Sequence, residues 1–209
     1  VKFEDLPESA RDSIVEKHRD MDVIYDDWWD SVYSFFKEDM LKIGIEVDRI
    51  YFSGFSSQGD GAMFEGRVCD WEKFLTHINA PECYRHKEIR GDMTFSVRHS
   101  GHYYHSNSTR YSFDAQWSNE YVPDCLRHHV MEALIGECED GLPELERSCE
   151  EAFKGHMDDL YTQLKEEYDY LTSDEHIIES LEANDMMEEE INEYLESTKE
   201  STEDCMAPY

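Results

Sequence analysis

The sequence predicts an α+β fold: an antiparallel sheet of four to five strands, made of two hairpins and packed with helices, followed by an acidic helical C-terminal region. Three observations predict it. Apolar residues recur every three or four positions up to residue 43, every second position between 46 and 67, and every three or four again from 142 onward. The run Ser56-Ser57-Gln58-Gly59-Asp60-Gly61 supplies the glycines a chain reversal needs between the two alternating stretches. Charge then divides the chain: residues 1–130 carry 24 acidic and 15 basic side chains, a net of −9, and residues 131–209 carry 26 and 4, a net of −22. The resulting organisation is a hairpin-sheet domain over 1–122, an acidic helical region packed on it over 123–198, and a frayed tail over 199–209.

Each element has its own signal. A short helix is expected near Pro7–Arg19, with Pro7 at the first helical position. A second follows over Asp26–Lys42, with Tyr25, Trp29, Val32, Phe36, Met40 and Ile43 on one face and Trp28-Trp29 as core and rim. Ile50 and Phe52, then Ala62 and Phe64, alternate as the first hairpin. Asp70–Asn79 reads as a short helix stopped before Pro81. For the second hairpin, a two-residue turn at Ser100-Gly101 pairs His99 with His102, Val97 with Tyr104 and Phe95 with Ser106, leaving Arg98, Tyr103, Ser96 and His105 on the opposite face. Arg110–Trp117 supplies a further strand. Leu142, Leu145, Cys149, Phe153, Met157, Leu160, Leu164, Tyr168 and Leu171 form one long helical stripe. Thr172 and Glu175 have capping-box spacing, opening a helix through Ile178 and Leu181, and Met187, Ile191 and Leu195 mark a last one.

Composition narrows the function. Of 209 residues, 39% are hydrophobic and 13% aromatic, enough to fill a core, while the formal charge is −31. Such a field repels nucleic-acid phosphates and anionic membranes, so neither is an expected partner; basic surfaces are. The opening VKFEDLPESARDS has no apolar core of a secretory leader, no run reaches the roughly 18 apolar residues of a membrane span, and the six cysteines lack CxxC spacing. A soluble cytoplasmic protein with reduced thiols is the expectation, with homodimerisation left open.

Five stretches, FEDLPESAR, WWDSVY, IGIEVDRIYFSGFSSQGDGAMFEGR, RHSGHYYHS and EYDYLTSDE, give the chain a likeness spread over most of residues 3–175. In these it resembles a family of small acidic bacteriophage and bacterial proteins loosely catalogued as antitoxin of a toxin–antitoxin stability system. The resemblance implies a phage or mobile-element setting. Two departures stand out: Ser56 replaces an expected aromatic, and the acidic stretch near Glu120–Glu150 is enlarged.

Three constellations could carry chemistry. His99, His102 and His105 have the density of a metal site, with Asp60 or Glu65 as carboxylates, but period-two geometry splits His105 from the other two, so no metal and no cofactor is expected in the protein. Arg98, Tyr103 and His105 form an alternative binding face for a small anion or a partner. The glycines near residue 60 lack GxxxxGK[ST] and flank strands, so they read as a turn, and no GxSxG elbow is present. The third constellation is the charge. Seventy-nine helical residues extend about 118 Å at 1.5 Å each, one net charge per about 5 Å; two or three rows side by side approach about 2 Å, against one charge per about 1.7 Å in duplex DNA. The expected function is therefore a non-enzymatic, DNA-mimicking inhibitor of a basic nucleic-acid-binding host complex, of anti-CRISPR or anti-restriction type. The carboxylates expected to carry it are Glu137, Glu139, Asp140, Glu144, Glu150, Glu151, Asp158, Asp159, Glu166, Glu167 and Asp169. The alternatives are an antitoxin or other module that neutralises a basic partner, and, third, a metal- or histidine-dependent enzyme.

Overall fold

The computed structural model describes residues 1–25, 27–81, 84, 92–116 and 130–204. They fall into two compact units, one formed by 30–165 and the other by 1–29 together with 166–209.

In the first unit, helix α2 (Asp30–Lys42) leads into strands β1 (Ile45–Phe52) and β2 (Ala62–Val68), then helix α3 (Trp71–His77), strands β3 (Asp92–His99) and β4 (Thr109–Gln116), and the first part of helix α4 (Val130–Leu171). The sheet is a four-stranded antiparallel meander in the order β1-β2-β3-β4. The α+β class therefore holds, with two hairpins and four strands.

Alternation decides which face is covered. Ile50 pairs with Phe64, Gly66 with Val97 and Phe95 with Phe113, so these share one face. Phe153 of α4 is the hub beneath them. It is fully buried, and its ring centroid lies 5.0 Å from Phe95, 5.5 Å from Phe64 and 5.8 Å from Phe74 of α3. Phe36 of α2 reaches Phe64 at 5.5 Å. Trp28 and Trp29 are half-buried and Tyr25 is exposed, so Tyr25 leaves the apolar face assigned to it. Asp26 itself lies outside the described residues, but residues 27–29 form a turn, so the helix begins at Asp30, not at Asp26 as expected.

The second hairpin corrects the expected register. β3 pairs with residues 109–116, setting His99 opposite Thr109, Val97 opposite Tyr111 and Phe95 opposite Phe113; residues 100–108 form its loop, not a strand. Burial explains the choice. The expected register would have set Phe95 against Ser106, whereas this one places Phe95 5.7 Å from Tyr111 and 6.3 Å from Phe113. Gly101 does turn at φ +108°, and the Ser100 N–H donates to the Ser108 carbonyl, but they close a wide loop.

The second unit packs helix α1 (Glu8–His18) with the end of α4 and with helices α5 (Asp174–Ala183) and α6 (Met187–Asp204). Its core is Phe3, Leu6, Ala10, Ile14 and Val15 with Ile177, Leu181, Met187 and Ile191. The N- and C-terminal segments thus build one body, where the sequence suggested a division near residue 123. The reason is that short amphipathic helices cannot bury an apolar face alone. Pro7 caps α1 from outside rather than starting it. The α5 cap also shifts by one residue: Ser173 accepts from the His176 N–H, while Thr172 closes α4 by donating to the Tyr168 carbonyl. Ile177 is buried on α5, with Ile178 partly so. The α6 backbone stays helical through Asp204, beyond the point where the tail was expected to fray; residues 205–209 lie outside the described set.

Candidate functional site

The acidic surface was expected on what is now α4, and its residues divide into distinct environments. Glu137, Glu139 and Asp140 sit on its helical backbone, with side chains outside the described residues. Glu144, Glu151 and Asp158 are exposed at seven-residue spacing, one stripe with steps of about 10.5 Å. Arg147 pairs with Glu144 and lies 3.4 Å from Glu151, so this stripe is partly neutralised within the helix. Glu150 is half-buried, and exposed Asp159 lies 4.0 Å from the His156 Nδ1. Glu166 and Asp169 are exposed and Glu167 half-buried on the last turns of α4, in the helical unit.

Charge density separates the helices. α4 holds 13 acidic and three basic side chains over its full length, one net charge per about 6 Å, thinning to one per about 12 Å over residues 141–165. α6 holds eight acidic and one basic, and α5 four acidic and none basic, each near one net charge per about 4 Å. The helical unit as a whole carries 25 acidic and 5 basic residues, a net of −20, and the sheet unit 25 and 14, a net of −11. On α6 the exposed Glu188, Glu189, Glu193 and Glu196 line, with Asp185 and Asn192, a shallow hollow of about 560 Å³. None of these was among the expected site residues. The signal that could have found them is the scarcity of basic residues after Lys165, where Lys199 stands alone.

Basic residues of α1 hold this acidic body together. Lys17 Nζ lies 2.8 Å from Glu190 and 2.7 Å from Glu193, and His18 Nε2 lies 2.9 Å from Glu190, a close contact whose ring N–H is poorly aimed. Burial alone would raise the Glu190 carboxyl, but the Lys17 hydrogen bond and the adjacent Lys17 and His18 groups outweigh it and hold it below the ordinary value. Hydrogen bonds to Glu190 and Glu193 hold the Lys17 ammonium above its usual range. Arg19 adds a 2.8 Å pair with Asp174 and a 2.7 Å bond to the Thr172 carbonyl.

The histidine loop is arranged as a stacking surface. Tyr51 stacks on His99 at 5.2 Å and on Tyr104 at 5.3 Å. Tyr103, 52% exposed, stacks on His105 at 5.9 Å and meets His102 edge-on at 5.4 Å. Tyr103 and His105 therefore come together as expected, though on a loop, while Arg98 stands on β3 with Glu65 at 3.7 Å and Asp48 at 4.0 Å. The carboxylates considered for catalysis hold backbone: Asp60 accepts from the Ser56 and Ser57 N–H groups, and Glu65 from that of His99. Among the described residues no group of three or more His, Cys, Asp and Glu converges on a point that would hold a metal ion.

One Ser-His-Asp triangle does form. Asp22 Oδ2 lies 2.9 Å from His176 Nε2 and accepts from Ser180 Oγ at 3.0 Å, with Ser180 Oγ 3.3 Å from the same nitrogen. A catalytic relay needs serine and carboxylate on opposite ring nitrogens. Here both address one, which makes the triangle a clamp between the segment after α1 and α5. The thiol of Cys149 is buried and pushed up to about 12 by that burial, far from thiolate at neutral pH.

A family model matches residues 28–174. The chain belongs to the family described as Domain of unknown function (DUF8835). The matched stretch takes in the sheet unit and ends at the start of α5, so α1, most of α5 and α6 lie outside it. No curated protein and no solved structure matches the chain. Among the described residues no helix is long and apolar enough to cross a membrane.

Proposed function

We propose that this protein is a non-enzymatic acidic inhibitor that occupies the phosphate-binding groove of a basic nucleic-acid-binding host complex, as a phage-borne anti-restriction or anti-CRISPR protein in the host cytoplasm would. The observation that carries this reading is the net charge of −20 gathered in the helical unit. α5 and α6 each present one net charge per about 4 Å, and two such rows together approach the spacing of duplex phosphates. Arginines and lysines that neutralise phosphates would pair with these carboxylates, and the long-range field would speed encounter. The acidic side chains of α4 add charge at lower density.

A second reading has its own observation. The family match centres on the sheet unit, whose loop exposes Tyr103 and His102 beside a half-buried His105. There the protein would bind its partner through the sheet, as an antitoxin binds a basic toxin, with acidity as a solubilising coat. Capture from a bacterial host lysate on immobilised protein, eluted with a salt gradient, tests both. The inhibitor reading expects a nucleic-acid-binding protein that elutes at moderate salt and whose nucleic-acid binding the free protein competes away. A captured partner with intact nucleic-acid binding in that competition contradicts it.

A further inference from the structure

A pair of histidines outside the surfaces above has a geometry of its own. His77 ends α3 and His156 lies on α4, both inside the sheet unit. Their Nε2 atoms are 3.1 Å apart and their rings stack at 5.1 Å with 27° between planes. Two imidazoles on one tetrahedral ion, each at about 2.0–2.1 Å, hold their nitrogens about 3.3–3.4 Å apart, so these atoms stand nearly at ligand separation. The other ring nitrogen of His156, Nδ1, has Asp159 Oδ2 at 4.0 Å, on the side where a metal-bound histidine usually has a carboxylate. Around the pair runs an open groove of about 410 Å³ lined also by Ser148, Glu151 and Gly155. A Cβ added at Gly155 would meet nothing within 4 Å, which leaves room for water. Glu151, shared with Arg147, and Asp159 make the groove negative.

We infer that His77 and His156 form a two-imidazole site for a borderline divalent cation of the zinc, nickel or copper kind, completed by water and bridging α3 to α4. Imidazole nitrogens select these ions over magnesium or calcium, which take oxygen ligands. With two protein ligands the site is exchangeable rather than a closed structural centre. The competing arrangement is an N–H···N hydrogen bond between the rings, which needs no ion. The inference is independent of the inhibitor reading.

Titration of the full chain with zinc alone, followed calorimetrically at neutral pH, separates the two. The site predicts about one ion per chain at micromolar affinity, weakened at least tenfold in both His77→Gln and His156→Gln and unchanged in His102→Gln. Should His156→Gln lose its fold by circular dichroism, His77→Gln, whose ring is exposed, decides alone. No zinc bound below millimolar concentration, or binding untouched by His77→Gln, overturns the inference. Binding that falls only with His102→Gln also overturns it, since the ion would then sit on the histidine loop.

Discussion

Phe153 offers the sharpest test of how α4 holds the sheet unit. Its ring is fully buried against Phe64, Phe74 and Phe95, so three elements lose a shared partner when it is truncated. Replacing a buried phenylalanine by alanine costs about 3–5 kcal/mol, the lost transfer energy plus the cavity left behind. Aromatic pairs are worth about 0.5–1.5 kcal/mol each beyond their burial, so three contacts in one cluster place Phe153→Ala at the upper end of that range. Phe153→Leu keeps most of the volume and should cost about 1–2 kcal/mol. Against a total stability of about 5–15 kcal/mol, the alanine variant gives up a third or more of the margin while the leucine variant keeps most of it. Urea melts followed by near-ultraviolet circular dichroism report the aromatic cluster directly. A loss under 1 kcal/mol for Phe153→Ala would refute the reasoning, because α4 could not then be packed on the sheet through this ring.

Three further outcomes are expected. Added salt should raise the melting temperature by screening the helical unit's own repulsion, with like charges three or four apart at Glu189/Glu193 and Glu193/Glu196; a melt indifferent to salt contradicts this. Glu190, facing Lys17 and His18 of α1 with Glu193 beside it, has a folded-state value below the ordinary one. Its stabilisation is therefore full above the ordinary carboxylate range and lost as pH falls through the folded value. Glu190→Gln should melt lower than the parent at neutral pH, with the gap closing in acid; a constant gap across that range refutes the assignment. Gly59, at φ +98°, would place a Cβ 2.5 Å from the Tyr103 ring. Gly59→Ala should cost about 1–2 kcal/mol for the backbone alone, and Tyr103→Ala in the same chain should relieve only the ring clash, which a double-mutant cycle measures.

Periodicity carried the fold a long way. The stripe from Leu145 to Leu164 was legible because the buried residues described on α4 fall at helical spacing, and the first hairpin because the glycine-rich run 56–61 separates two strand-like stretches. The second hairpin was misread for a physical reason. Ser100-Gly101 has the chemistry of a tight turn, yet turn chemistry is local, and the aromatic pairing of Phe95 with Phe113 is worth more than a short loop. Joining 1–29 to 166–209 was also out of reach, since Lys17 and Glu190 are 173 residues apart and no spacing rule connects them. That long-range closure gathers the N-terminal segment, α5 and α6 into one unit with a net charge of −20. Net charge was readable from composition; its placement depends on which helices share a core.

Inhibition as proposed requires the helical unit's summed field to block a nucleic-acid groove. The most direct measurement is competition: the captured host protein, its labelled nucleic acid and rising amounts of this protein, at several salt concentrations. Changing Glu182, Glu188, Glu189 and Glu196 to glutamine removes four exposed charges from α5 and α6 without touching the Lys17 clamp. Stoichiometric competition is expected of the parent and slower association of this variant. The difference should shrink as salt shortens the screening length below about 10 Å. The amides of Asp158, Asp159, Glu166 and Glu167 should have a smaller effect. If the four-glutamine variant competes like the parent at every salt concentration, while changing Arg98, Tyr103 and His105 abolishes competition, the acidic unit is a solubilising surface and recognition belongs to the sheet.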